Sequence, residues 1–189
     1  MSLLDTHFNA QILAQGIQDL AAKEPFPGEA NIRDVFAKSR NSVEFTDCDS
    51  RKYPQIEAMR AFSSKLCDLR VSPTTWAEFK HGTTSDYIAR FNYEDQGTTK
   101  NIFRDACMDI TKSQLINRHP EFLGISVITV LHLGLDTDRA ANQVQEELLA
   151  LSNVFQIRPE LTELPYAASV GANKVNGLLS IYLFGRPNP

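Results

Sequence analysis

The chain has 189 residues, 42% hydrophobic and 22% charged, with a net charge of -4. That is enough apolar material for one packed domain and too much for a chain disordered by composition. The negative balance, with no basic run longer than Arg51-Lys52, argues against a protein that works mainly by neutralising phosphates.

Leu4, Phe8, Ile12, Leu13, Ile17 and Leu20 recur at helical spacing and predict one amphipathic helix ending before Pro25. The doubled proline of Glu24-Pro-Phe-Pro-Gly28 breaks it. Asn31 caps a second helix through about Ser39, with Ile32, Val35 and Phe36 on one side. Residues 41–53 read as loop or short strand. Pro54 suits the first position of a third helix carrying Ile56, Met59, Phe62, Leu66 and Leu69. Ser72-Pro73 repeats a cap-then-proline signature and opens a short turn bearing Trp76 and Phe79, ended at Gly82.

Tyr87, Ala89, Phe91 and Tyr93 alternate with Ile88, Arg90 and Asn92, the pattern of a strand with an aromatic face. Gln96-Gly97 is a turn, and Thr98 or Thr99 caps a helix carrying Phe103, Cys107 and Ile110, stopped near Pro120. Leu123–Leu133 is the strongest strand signal in the chain. Asp136 caps a helix with the stripe Ala141, Val144, Leu148 and Leu151. Residues 154–157 and 177–184 read as the last two strands. Between them, Pro159 and Pro165 bracket an extended segment that belongs at a sheet edge or in a long excursion.

Three scattered cysteines, Cys48, Cys67 and Cys107, with no C-x-x-C pair, fit reduced thiols better than a disulfide framework or a structural zinc site. No 18-residue apolar run predicts a membrane span, and Asp5 and His7 follow the first leucines too closely for a signal peptide. The expectation is a soluble protein made and used inside a cell.

No catalytic, cofactor-binding or metal-ligating residue is assigned by motif. Asp136-Thr-Asp138 offers two carboxylates but reads as a helix cap with an acidic first turn. Asp47-Cys48-Asp49 surrounds a thiol with acids, which raises its pKa and disfavours a nucleophile. His132, inside the apolar strand, and His81, before Gly82, are candidate general bases; His132 reads more simply as a core or interface residue. Trp76, Tyr87, Phe91 and Tyr93, with Arg90 among them, could stack on bases, but packing is the simpler reading. The segments 51–57 and 158–165 read as loops able to meet a partner.

The expected fold is α+β: a helical N-terminal half packed on a small mixed β-sheet with a strand-helix-strand-strand C-terminal module. The chain is expected to be a single domain, mainly helical over 1–82 and α+β over 83–189. The run Ile125-Ser-Val-Ile-Thr-Val-Leu131, the helix over residues 138–151 and Leu178-Leu-Ser-Ile-Tyr-Leu-Phe184 together resemble the end of phage tail-terminator and tail-completion proteins. Ferredoxin-like domains share this layout. The resemblance implies a non-enzymatic, ring-forming virion component that partners copies of itself or other structural proteins, made in the host or bacterial cytoplasm. The alternatives are a small enzyme using His132 or His81 with a carboxylate, and a single-stranded nucleic-acid-binding module built on Arg90 and the aromatic strand.

Overall fold

A computed structural model describes residues 2–41, 68–84, 99–133 and 137–186. In chain order the elements are α1 (Leu3–His7), α2 (Ala10–Lys23), α3 (Glu29–Ser39), β1 (Leu69–Ser72), β2 (Thr75–Thr83), α4 (Thr99–Asn117), β3 (Leu123–Leu133), α5 (Thr137–Phe155), β4 (Glu160–Val170) and β5 (Asn173–Phe184). The strands form one mixed sheet in the order β1-β2-β3-β5-β4. Only β2 and β3 run parallel; the other neighbours are antiparallel. The fold is α+β, and β1 and β2 fall inside the stretch expected to be mainly helical.

Helices cover both faces of the sheet. On one face Leu13, Ile17, Ile32 and Phe36 of α2 and α3 join Phe79, Val127, Leu131 and Leu183 in one core. On the other, Ile102 and Ile110 of α4 and Val144 and Leu148 of α5 join Ile128, Val130, Tyr182 and Phe184. Burying Val144 and Leu148 contributes roughly 1.5–3 kcal/mol each, well above what isolated helix propensity supplies.

The N-terminal helix is two helices. Asn9 caps α2, its Oδ1 accepting the Ile12 N–H at 3.0 Å, and Phe8 leaves the helical path to bridge Arg40. Phe8 meets Phe36 edge-on at 5.2 Å. The buried stripe of α2 is Leu13, Ile17 and Ala21, while Ile12 is 49% exposed. For α3, Gly28 is the cap residue and Asn31 reaches back to accept the Gly28 N–H at 3.1 Å.

Ser72-Pro73 makes the turn of a β-hairpin, with the Ser72 hydroxyl accepting the Thr74 N–H. Trp76 and Phe79 therefore lie on β2, which continues past Gly82 to Thr83. The predicted strand at 154–157 is instead the end of α5. Gln156 adopts φ 55° and the Ile157 N–H bonds the Ser152 carbonyl at 3.0 Å, a Schellman-type cap. Buried Ile157 closes the second core, and Val154 is 75% exposed. The strand between α5 and β5 is β4, bearing Pro165 at the sheet edge. Gly171, at φ 60°, opens the β4–β5 turn, where a two-residue hairpin needs a residue free of a Cβ.

The expected helix from Pro54 lies outside the described residues up to residue 67, but its last inward residue, Leu69, is on β1, paired with Ala77 rather than helical. The strand at 87–93 and the caps Thr98 and Asp136 lie outside the described residues. The helix carrying Phe103, Cys107 and Ile110 is α4, and Leu123–Leu133 is β3 as expected.

α4 lies directly against the start of β3. The Asn117 side chain bonds both backbone groups of Gly124, at 2.8 and 3.1 Å. A Cβ on Gly124 would fall 2.5 Å from the Ser113 carbonyl oxygen. Gly124→Ala is expected to cost about 1–3 kcal/mol by overpacking, read as a fall of several degrees in Tm. An unchanged Tm would show that α4 is not held this close.

Candidate functional site

The densest polar chemistry lies along β2. β1 pairs with β2 only as far as Leu69–Ala77. Beyond that point, among the described residues, the outer edge of β2 has no strand beside it. Two carboxylates take the place of carbonyls: Asp68 Oδ2 accepts the Phe79 N–H at 2.9 Å, and Glu29 Oε2 accepts the His81 N–H at 3.4 Å. Arg33 holds Asp68 at 3.4 Å, and Lys80 bridges Glu29 at 3.0 Å and Asp105 of α4 at 3.4 Å.

Beneath α4 the network turns inward. Lys112 Nζ lies 3.0 Å from Glu78 Oε2 and 3.3 Å from Asp109 Oδ1. The Glu78 side chain is only 5% exposed and that of Asp109 11%. Burial pushes Glu78 up to about 8, against the pull of Lys112 and with the help of the Asp68 charge. Burial likewise raises Asp109 to about 6. Burial works against the Lys112 charge, but Glu78 and Asp109 outweigh it and raise the ammonium above its ordinary value.

The two candidate histidines lie on opposite faces of the sheet. His81 Nδ1 is 2.9 Å from Thr129 Oγ1, its partner across the β2–β3 ladder. Burial pushes its pKa down to about 4. His132 faces the α4/α5 side beside Leu178 and is fully buried. Neither of its ring nitrogens has a partner among the described residues, and burial lowers its pKa to about 4. Both rings are uncharged at neutral pH. Among the described residues no carboxylate side chain bonds either ring; Glu29 meets His81 through the backbone alone.

A concavity among the described residues lies elsewhere. A groove of about 740 Å³ runs between α2 and α3, lined by Gln15, Asp19, Lys23, Asn31, Asp34 and Lys38 among others, with no histidine or cysteine. The structure thus does not bring a histidine, a carboxylate and a cleft together at this groove.

Trp76 is 2% exposed, edge-on to Phe122 at 5.1 Å with the Arg70 guanidinium over its ring, so it is a packing residue rather than a platform for bases. Tyr87, Arg90, Phe91 and Tyr93, and Asp47-Cys48-Asp49, lie outside the described residues, as does Asp136. Burial raises the Cys107 thiol pKa, which favours the unreactive form. No helix among the described residues is long and apolar enough to cross a membrane, and no group of three metal-ligating side chains occurs among them.

Sequence reasoning missed Glu78, Asp109 and Lys112. The available signals were an acid in mid-strand two places from Trp76 and the Asp109–Lys112 spacing of three on a helix. No protein-family model, curated protein or solved structure matches the chain.

His132→Leu is expected to leave stability at neutral pH unchanged or raised, since an unpartnered polar ring gives way to an apolar one of similar size. The folded-state pKa of His132 lies below the ordinary 6.5, so its contribution is intact above 6.5 and is lost as pH falls toward about 4. The variant should therefore lose less stability over that acid range, read from denaturation midpoints. A loss above about 2 kcal/mol at neutral pH would mean that the ring has a partner.

Proposed function

We propose that this chain is a non-enzymatic structural or assembly subunit that associates with copies of itself through the β4 edge, in the manner of a ring-forming phage tail or neck component. The observation that carries this reading is the state of β4. It is an eleven-residue strand at the end of the sheet with no strand on its outer side among the described residues. Leu164, Tyr166 and Ala168 turn inward to the first core, and Tyr166 Oη donates to the Glu24 carbonyl. Leu161, Glu163, Pro165, Ala167 and Ser169 are exposed.

The position of Pro165 sets which backbone groups face out. A proline is tolerated in a ladder where its missing N–H points away from the neighbour. By parity the N–H and C=O groups of Leu161, Glu163, Ala167 and Ser169 point outward too. Gln18 donates to the Pro165 carbonyl and closes the middle of the edge. Among the described residues two short stretches of this backbone are left without a partner, flanked by exposed Leu161 and by small side chains. Such an edge accepts another strand in a limited register.

The strand-helix-strand-strand order of the C-terminal third, now β3-α5-β4-β5, supports the resemblance to tail-terminator and tail-completion proteins at the level of layout. The experiment is the absolute mass in solution by light scattering, with electron microscopy of the same sample. The expected result is a closed oligomer. Ala167→Pro with Leu161→Lys should reduce it to monomer while shifting stability by no more than about 0.5 kcal/mol, as for surface changes. A clean monomer at high concentration overturns the reading. An oligomer that survives both substitutions moves the interface away from β4.

A further inference from the structure

We propose that Glu78, Asp109 and Lys112 form a pH-operated clasp fastening α4 to β2, closed while Glu78 keeps a proton and loosened when the proton leaves. The geometry sets two carboxylates on one ammonium in a site nearly closed to water. One Lys112 charge offsets one carboxylate, and a second buried carboxylate would be an uncompensated charge. Glu78 Oε2 accepts from Lys112, while Oε1 is buried with no partner among the described residues. Ser126 Oγ is likewise buried and without a partner among them. Glu78 and Ser126 are direct ladder partners, so their side chains stand on one face about 5 Å apart. A protonated Glu78 carries an O–H donor beside that hydroxyl; an ionised one brings only acceptors.

The surrounding groups favour the same state. From β2, Lys80 is engaged by Glu29 and Asp105 rather than by Glu78. Asp68, ahead of β1, adds negative charge toward both Glu78 and Asp109. From α3, Arg33 pairs with Asp68. Among the described residues five acids, Glu29, Asp68, Glu78, Asp105 and Asp109, thus share four cations, Arg33, Lys80, Arg104 and Lys112, and Arg104 is the most exposed of these. Keeping Glu78 neutral reduces that imbalance where water screens it least.

A carboxyl whose folded-state pKa is raised stabilises the fold fully below its ordinary value and ceases to do so as pH rises through the folded value. For Glu78 that window runs from 4.5 to about 8. Asp109 acts in the same direction between 3.8 and about 6.

The test is hydrogen exchange of the α4 amides, corrected for intrinsic base catalysis, with denaturation midpoints from about pH 5 to about pH 9. In the wild type the opening equilibrium of α4 should rise by up to roughly tenfold per pH unit within the window. Glu78→Gln, permanently neutral and the same shape, should abolish the rise above about pH 6. An infrared C=O stretch of a protonated carboxyl should be present at neutral pH in the wild type and absent from Glu78→Gln. Asp109→Asn removes the competing carboxylate, so both the band and the opening should titrate at lower pH. A flat wild-type profile, an unchanged slope in Glu78→Gln, or no shift in Asp109→Asn overturns the clasp; where Glu78→Gln fails to fold, the Asp109→Asn shift decides.

Discussion

β3 is the strand from which the rest of the molecule is placed. It pairs with β2 on one side and β5 on the other, and helices cover both its faces. A strand buried on both faces cannot alternate apolar with polar, so it reads as a continuous apolar run. The parallel β2–β3 pair also demands a crossover, and α4 lies within that connection. The crossover brings Asp109 and Lys112 over Glu78. The buried charge cluster is therefore a consequence of the parallel pair, not an independent feature.

The polar residues of β3 show how narrow the tolerance is. Thr129 is bonded to His81 and to the Lys80 carbonyl, so its hydroxyl is satisfied inside the sheet. His132 and Ser126 face the other side with no partner among the described residues. Leaving such groups unpaired costs on the order of 1–3 kcal/mol each. Most of this cost among the described residues falls on the α4/α5 face, where Glu78, Asp109 and Lys112 also lie, while on the opposite face His81 Nε2 is buried without a partner among them.

What was legible in the sequence followed from periodicity, and what was not followed from contacts across the chain. β3 and the stripe of α5 come from local rules that tertiary structure did not override. Pro159 and Pro165 left an edge and a long excursion both open, and the segment 158–165 read as a loop, whereas from Glu160 onward it is β4, held by its pairing with β5. The break at Asn9 was hidden because Phe8 is buried whether the helix continues or not; the capping residue was the clue, and the apolar spacing spoke against it. Val154-Phe-Gln-Ile157 reads as a short strand from its β-branched and aromatic residues, yet they serve a helix end and its cap. Trp76 and Phe79 lie three apart, which fits a short turn, but on β2 they face opposite sides of the sheet, Phe79 in the first core and Trp76 against Phe122. The pairing of Glu78 with Lys112 spans 34 residues and no local pattern encodes it.

The two ends of the sheet are finished differently, and this bears on how copies can meet. At the β1–β2 end, Arg40 donates to the Arg70 carbonyl, and Asp68 and Glu29 occupy the outward N–H groups of β2. A strand approaching there must displace charged side chains already engaged in ion pairs. At the β4 end, among the described residues, only the centre is closed, by Pro165 and Gln18. A ring built by joining β4 of one copy to β2 of the next would place an open edge against a guarded one. β4 meeting its own twofold mate closes a dimer. A larger ring would need a second contact on the subunit besides the pairing of β4. Backbone pairing and ring closure are thus separate demands on this fold, and the guarded β2 edge is what separates them.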